Sequence, residues 1–188
     1  MMRSSSKKMI LSVLVLVGLC GTLLVSGCAA RAEYMEPEVL DMGWDGGENG
    51  KSYSVSINES TGGIDPKPMW GSQISNTAFT AALTNSVKKS GLFQTVITGD
   101  GADYILDVAI LDYDQPWNGA NMTVRMETTW VLTNAKTQDV VWSNTFPAAY
   151  TANWKCSPTD TGRAKNAQEG AARATIKEGL SRLSRVDL

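Results

Sequence analysis

The first residues contain an apolar segment that decides which part of the chain is left to fold. Residues 1–8 carry Arg3, Lys7 and Lys8 and no acidic residue. Residues 9–24 are then almost wholly apolar. This run of about 16 residues is short for a membrane-spanning helix, which needs about 20. A basic head, a short apolar run and small residues after it are typical of a secretory signal.

The signal ends at a cysteine. Residues 25–28 read Val-Ser-Gly-Cys, which resembles a bacterial lipobox. In proteins with this motif the cysteine thiol receives a diacylglyceryl group, the signal is cut before the cysteine, and the new N-terminus is usually acylated. The resemblance implies cleavage between Gly27 and Cys28, with palmitate-type acyl chains on Cys28. The alternative is an uncleaved N-terminal anchor.

The residue after the lipobox cysteine predicts the membrane to which the protein is sorted. Lipoproteins with Asp there tend to stay in the inner membrane, and this chain has Ala29. The resemblance therefore implies the cell outer membrane, with the domain facing the periplasm. One acyl chain binds a bilayer reversibly, whereas two or three hold firmly.

The charge of the exported chain excludes several partners. Removing residues 1–27 takes three basic residues away and leaves 14 basic and 19 acidic residues. A mildly acidic chain without a basic patch is not expected to bind nucleic acid. Its expected contact with the membrane is through the lipid anchor.

The absence of histidine from the sequence argues against most catalytic sites. It excludes Ser-His-Asp and Cys-His nucleophile pairs and zinc sites of the HExxH type. Cys156 is the one cysteine of the exported chain besides Cys28, and no histidine is present to act as its base. We expect an idle or buried thiol there, with a dimer-forming disulfide as the alternative. No catalytic residue is therefore predicted.

Two further sequence patterns do not match the phosphate-binding and calcium-binding loops that they resemble. Residues 46–52 end like a phosphate-binding loop, but the first required glycine is Asp45 and the stretch precedes a strand. Asp41, Asp45 and Glu48 lack the spacing of a calcium-binding loop. We expect no nucleotide, no metal and no cofactor.

The exported chain divides into two parts. Residues 28–50 contain the lipidated cysteine followed by an acidic, glycine-rich stretch that is expected to be a flexible tether. The alternative is that Met35, Val39, Leu40 and Trp44 dock on the domain. Residues 51–188 are expected to form a single domain.

Apolar periodicity predicts the elements of this domain. Alternating apolar residues predict strands over 52–57, 103–113, 122–133 and 140–146, with a shorter one at 95–98. Helical spacing predicts a helix from about residue 72 to 90, with Ser72 or Ser75 as its cap, and a second from about 160 to 183. The order favours an α+β two-layer sandwich: an antiparallel sheet of four to five strands with two helices packed on one face.

The hairpin near residue 134 also gives a register. A five-residue loop over 134–138 pairs Leu132 with Val140, Trp130 with Trp142, and Met126 with Phe146. Each pair is apolar and on one face, so this register is predicted.

The layout resembles small bacterial lipoproteins whose domain is like the N-terminal domain of TolB, including LptE-like and YajG-like proteins. The resemblance lies in residues 78–93, in 102–106 and in the hairpin ending Val-Val-Trp-Ser at 140–143. It covers about residues 51–186. It implies an accessory subunit of envelope assembly or transport rather than an enzyme.

Two loops carry tryptophans suited to binding a partner. Trp117 and Asn118 lie at a loop tip beside Pro116, and Trp154 lies in a polar loop. Loop tryptophans either cover the core or anchor a partner. The leading hypothesis is a non-catalytic accessory or scaffold protein that binds an envelope protein or its own copies. The alternatives are a lipid or glycolipid carrier with a pocket between sheet and helices and, less favoured, an envelope enzyme.

Overall fold

The computed structural model describes residues 29–38, 50–64, 73–116 and 118–188. The signal segment with Gly27 and Cys28 lies outside the described residues, as does Trp117. The elements in chain order are α1 (Ala32–Met35), β1 (Lys51–Ile57), α2 (Asn76–Ser90), β2 (Phe93–Ile97), β3 (Tyr104–Asp114), β4 (Asn121–Asn134), β5 (Val140–Asn153) and α3 (Asp160–Leu183). Among the described helices, none combines the length and apolarity that crossing a bilayer requires.

The five strands form one open sheet in the order β2-β1-β3-β4-β5. The α+β class is confirmed, but the sheet is mixed rather than wholly antiparallel. Strands β3, β4 and β5 pair antiparallel, whereas β1 is parallel to both β2 and β3. The reason is the connection: α2 lies between β1 and β2, and a crossover helix returns the chain to the same end of the sheet, which makes the two strands parallel.

The core lies between one face of the sheet and the two long helices. Strand β4 buries every second residue, from Met122 to Leu132, because side chains alternate across a strand. Helix α3 passes close to this face at Gly179, where a Cβ would lie 2.3 Å from Cζ2 of Trp130. Small residues on α3, including Ala167, Ala171 and Ala172, are fully buried there. Helix α2 contributes Phe79 and Leu83 to the same core.

Side-chain caps and a glycine set the helix ends. Ser75 Oγ accepts a hydrogen bond from the Ala78 amide at 3.2 Å, so the second of the two predicted caps begins α2. Gly91 ends α2 with a positive φ of 63°, a conformation that glycine adopts without strain. Thr159 Oγ1 accepts from the Gly162 amide at 3.1 Å and begins α3.

The predicted hairpin register is wrong by two residues. Trp130 pairs with Asn144, Leu132 with Trp142, and Thr128 with Phe146. One residue of the shift comes from a longer turn, in which Thr133 pairs with Val140, and one from an irregularity between Leu132 and Thr133. A shift of two preserves the face, because side chains alternate with a period of two. Phe146 is therefore buried as expected, 6.1 Å from the Trp130 ring.

Strand β5 is an edge of the sheet. Its 14 residues contain no charged side chain. Pro147 lies in its middle, exposed and opposite Glu127 of β4. Proline has no N–H to donate, and within sheets it is found on edge strands where the nitrogen faces solvent.

Candidate functional site

The two loops selected from the sequence lie at the same end of the sheet. Strand β4 begins opposite the end of β5, with Asn121 paired to Asn153. The loop before β4, residues 115–120, is therefore next to the loop after β5, residues 154–159. We call these the paired loops. The structure brings Asn118 and Trp154 to one end of the molecule, although Trp117 is not among the described residues.

Arg163 holds the paired loops together. Its side chain is 9% exposed, and the residue lies in the first turn of α3. Nε donates to the carbonyl oxygen of Gly119 at 3.1 Å, and Nη1 donates to that of Ser157 at 3.1 Å. The guanidinium also forms an ion pair with Asp160. Sequence reasoning missed Arg163, because its two main partners are backbone carbonyls, which leave no pattern in the sequence.

Replacing Arg163 with methionine should separate the paired loops. The variant keeps much of the side-chain volume but leaves two carbonyl groups without their donor. Hydrogen bonds to charged groups contribute about 1.5–3 kcal/mol each, so we expect a loss of about 2 kcal/mol in the free energy of unfolding, together with faster amide exchange in both loops. Arg185→Met is the matched control, because the Arg185 side chain is exposed and makes a 3.4 Å hydrogen bond to Ser181 Oγ. Unchanged exchange in the paired loops would contradict the bridging role.

Trp154 points outward from the paired loops. Its side chain is 65% exposed, and Asn118 is exposed as well. The backbone turns tightly here: Asn153 Oδ1 accepts from the Lys155 amide at 3.0 Å, and the Asn153 carbonyl accepts from the Cys156 amide at 3.0 Å. Trp154 is thus an exposed side chain on a hydrogen-bonded turn rather than a cover for the core.

The segment of residues 29–38 docks beside the paired loops. The expectation of a flexible tether is wrong for its described part, residues 29–38, where Ala30 is 5% exposed and Met35 is fully buried. The docking alternative therefore holds for Met35, whereas Val39, Leu40 and Trp44 lie outside the described residues. The cause is the apolar contact of α1 with the two long helices, which outweighs the entropy of a free chain.

Polar contacts hold this segment at three points. The Arg31 amide donates to Oε1 of Glu169 at 2.9 Å. The Tyr34 carbonyl accepts from Arg173 Nε at 3.0 Å. Glu36 accepts from Asn85 Nδ2 at 2.8 Å and forms an ion pair with Lys89. Helix α3 supplies the first two contacts and α2 the third, so the segment bridges both helices.

A groove of about 460 Å³ separates the docked segment from the paired loops. Arg31 and Tyr34 line one side, Cys156 and Ser157 the other, and Lys165 and Glu169 of α3 also line it. Lys165 Nζ lies 4.0 Å from Glu169 Oε1. Cys156 is exposed, and its thiol donates a weak 3.7 Å hydrogen bond to Asn153 Oδ1. The buried state considered for this thiol is therefore wrong.

Glu169 is buried, with 4% of the residue exposed. Burial raises the pKa of its carboxyl group. The Arg31 amide and the positive charges of Lys165, Arg173 and Arg31 act in the opposite direction. A raised pKa means that the folded protein holds this proton more tightly than the unfolded chain. The ionised carboxylate therefore opposes folding at neutral pH, and this contribution disappears as the pH falls through the raised pKa.

Glu169→Gln should consequently be at least as stable as the parent protein at pH 7. Glutamine retains an oxygen that accepts from the Arg31 amide, and it cannot ionise. The difference in free energy of unfolding between the variant and the parent should disappear as the pH is lowered below 4.5, the ordinary pKa of this carboxyl group. Denaturant unfolding at several pH values measures this difference. A glutamine variant that is clearly less stable at pH 7 would show that the charge itself stabilises the docked segment.

The structure bears on three sites considered from the sequence: a metal site, a phosphate loop and a lipid pocket between the sheet and the helices. Among them, no group of three or more His, Cys, Asp or Glu side chains is arranged to hold a metal ion. Lys51, from the phosphate-loop pattern, begins strand β1, and its amine donates to the Val186 carbonyl. The cavity between the sheet and the start of α2, lined by Ile74, Ile110 and Tyr113, measures about 10 Å³. That volume holds about one water, so this cavity does not support a lipid carrier.

Comparison with known proteins connects the domain to one family. The sequence model of LptE, described as Lipopolysaccharide-assembly, matches residues 71–183. This span contains both long helices and strands β2 to β5. No curated protein matches the sequence.

Solved bacterial structures resemble the domain at low sequence identity. A DUF330 protein from Xanthomonas campestris superimposes with a TM-score of 0.54 at 19% identity, covering 70% of this chain and 83% of that one. PelC from Paraburkholderia phytofirmans, solved as a dodecamer, has a TM-score of 0.47 at 19% identity, with coverages of 72% and 88%. A minor lipoprotein from Acinetobacter baumannii has a TM-score of 0.42 at 12% identity, with coverages of 72% and 92%. The first of these likenesses establishes the fold.

Proposed function

Because the chain belongs to the LptE family, which is described as Lipopolysaccharide-assembly, we propose that it is a lipid-anchored, non-catalytic accessory protein of lipopolysaccharide assembly in the outer membrane. Acyl chains on Cys28 hold the protein, and its α+β domain faces the periplasm. The family match over residues 71–183 is the observation that carries this proposal.

The sequence supports the anchor. A basic head, a short apolar run and Val-Ser-Gly-Cys precede the domain, and Ala29 follows the cysteine as in lipoproteins sent to the outer membrane. Cleavage between Gly27 and Cys28 leaves two or three acyl chains as the attachment, which is enough for durable binding.

The surface supports binding rather than chemistry. The paired loops present exposed Asn118 and Trp154 on a frame held by buried Arg163. Trp117 belongs to the same loop in sequence. A rigid aromatic group on a fixed loop suits contact with another envelope component, because little side-chain entropy is lost on binding.

The proposal is tested in cells that lack the protein. We expect less lipopolysaccharide at the cell surface, restored by the parent gene, with the surface level of an unrelated outer-membrane lipoprotein as the control. Crosslinking in intact envelopes should then recover lipopolysaccharide-assembly proteins with this chain. Normal surface lipopolysaccharide, together with recovery of the chain alone and bulk lipid, would overturn the proposal.

A further inference from the structure

The distance between the proposed anchor and the folded domain is short. Cys28 is joined to Ala30 by two peptide links, which span at most about 8 Å. Ala30 is 5% exposed, and the next residue, Arg31, is fixed to Glu169 of α3. The acyl-bearing residue is therefore attached almost directly to the domain rather than through a long tether.

This distance is comparable to the thickness of the lipid headgroups. A bilayer is about 40–45 Å thick with a hydrocarbon core of about 30 Å, so each headgroup layer measures about 5–8 Å. Acyl chains that reach the hydrocarbon core must then bring the surface around Ala30 against the headgroups. The surface around Ala30 comprises the docked segment, the groove and the nearby paired loop after β5.

The side chains of this surface suit that position. Trp154 is 65% exposed and Tyr34 is 49% exposed. Tryptophan and tyrosine are enriched where proteins meet the membrane interface, because their rings are apolar and their tips polar. Exposed Lys155 and Arg31 add amine and guanidinium groups for lipid phosphates. Glu33 lies 3.6 Å from Arg31 and offsets part of this charge, so the aromatic pair is the stronger indicator.

We propose that Tyr34, Trp154 and Lys155 form a membrane-facing surface that rests on the lipid headgroups of the bilayer holding the acyl chains. This inference rests on the proposed function, which supplies the anchor at Cys28, and it names the envelope component that Trp154 contacts. The domain is then oriented. The paired loops face the bilayer, and the β4–β5 turn at residues 134–139 points away from it.

The length of β5 makes this orientation measurable. From the first to the last Cα of its 14 residues, the strand extends about 44 Å, since each step along it measures about 3.4 Å. Cys156 lies just beyond one end and is exposed, whereas Val140 lies at the other end and is 60% exposed. Since the thiol of Cys28 is acylated, a thiol-reactive dye labels Cys156 of the mature protein. The variant Cys156→Ser with Val140→Cys carries the same dye at the opposite end of the strand.

The full lipidated protein is reconstituted into phosphatidylethanolamine and phosphatidylglycerol vesicles that contain a headgroup spin label, which quenches nearby dyes. We expect the fluorescence at position 156 to fall at least two-fold while that at position 140 is unchanged. Equal quenching at the two positions would overturn the orientation. A dye at 156 that is shielded from aqueous iodide but not quenched by the lipid label would also overturn it, and would indicate a protein contact instead.

Vesicle flotation and the mass of the N-terminal peptide separate this inference from the proposed function. A protein that is acylated and floats, yet is not quenched at position 156, would overturn the membrane-facing surface and leave the anchor intact. A protein that is not acylated and does not float would overturn both.

Discussion

Replacing Cys28 with alanine should abolish the incorporation of labelled palmitate into the protein. The thiol is the atom that the lipobox resemblance assigns to the diacylglyceryl group, and alanine offers no nucleophile. We expect the incorporated label to fall at least ten-fold, to the background of an untagged strain. Cys156→Ser is the matched control, because it removes an exposed thiol outside the lipobox and should leave the label unchanged.

The same substitution removes the membrane attachment once the apolar leader is also replaced. Residues 1–27 contain an apolar run that would itself bind a membrane if it were retained. The test therefore joins the Cys28→Ala chain, from residue 28 onward, to a cleavable signal from a soluble exported protein. A single acyl chain gives a binding constant of only about 10⁴ M⁻¹, and removing every chain leaves only weak surface contacts. We expect nearly all of this variant in the soluble periplasmic fraction. An undiminished membrane-bound share would contradict the lipid anchor.

Trp130→Ala has the largest expected effect on stability. The indole is fully buried between the sheet and α3, with Gly179 against its ring and Phe146 at 6.1 Å. Its Nε1 donates to Thr128 Oγ1 at 3.1 Å, within the core. Truncating a buried aromatic residue costs about 3–5 kcal/mol, which is a large part of the 5–15 kcal/mol that typically holds a domain together. We expect a loss of that size in denaturant unfolding, or failure to fold.

Trp154→Ala is the control for this prediction. It makes the same chemical change at a side chain that is 65% exposed, so we expect the free energy of unfolding to change by no more than about 0.5 kcal/mol. Similar losses of unfolding free energy in the two variants would contradict the close packing described around Trp130.

Local signals in the sequence predicted much of this fold. The α+β class, the strand alternation and the end of α3 followed from the spacing of apolar residues. Ser75 was predictable as a helix cap because a serine side chain accepts hydrogen bonds from backbone amides only a few residues away. Strand alternation and helix ends depend on residues that are close together in the sequence, so the sequence was sufficient to predict them.

The differences arose where the structure depends on features that the alternation of apolar residues does not encode. The direction of β1 depends on which strands it lies between, which the periodicity of β1 alone does not contain. The hairpin shift depends on an irregularity near Thr133 that alternation cannot show, because a shift of two preserves the face. Met35 lies in a stretch whose apolar residues follow no period, and its burial depends on two helices that are distant in sequence.

The candidate site was predicted in part. Sequence reasoning selected Asn118 and Trp154 as separate loop residues, and the structure places their loops side by side. The link through Arg163 and the docking of residues 29–38 required three-dimensional contacts, since backbone carbonyls and a buried carboxylate supply the partners. The lipobox at Cys28 remains a prediction from the sequence.

The uncharged edge at β5 has a consequence for crowding. The proposed lipid anchor would confine the molecules to two dimensions, where neighbouring copies collide more often than in solution. An unpaired strand edge is a template for cross-β growth, which charged side chains normally discourage. In β5, which has no charged residue, Pro147 lies at the centre of the strand, and a proline nitrogen has no hydrogen to donate to an incoming strand. Between copies held on one membrane surface, this ring would oppose the pairing of two β5 edges at that point.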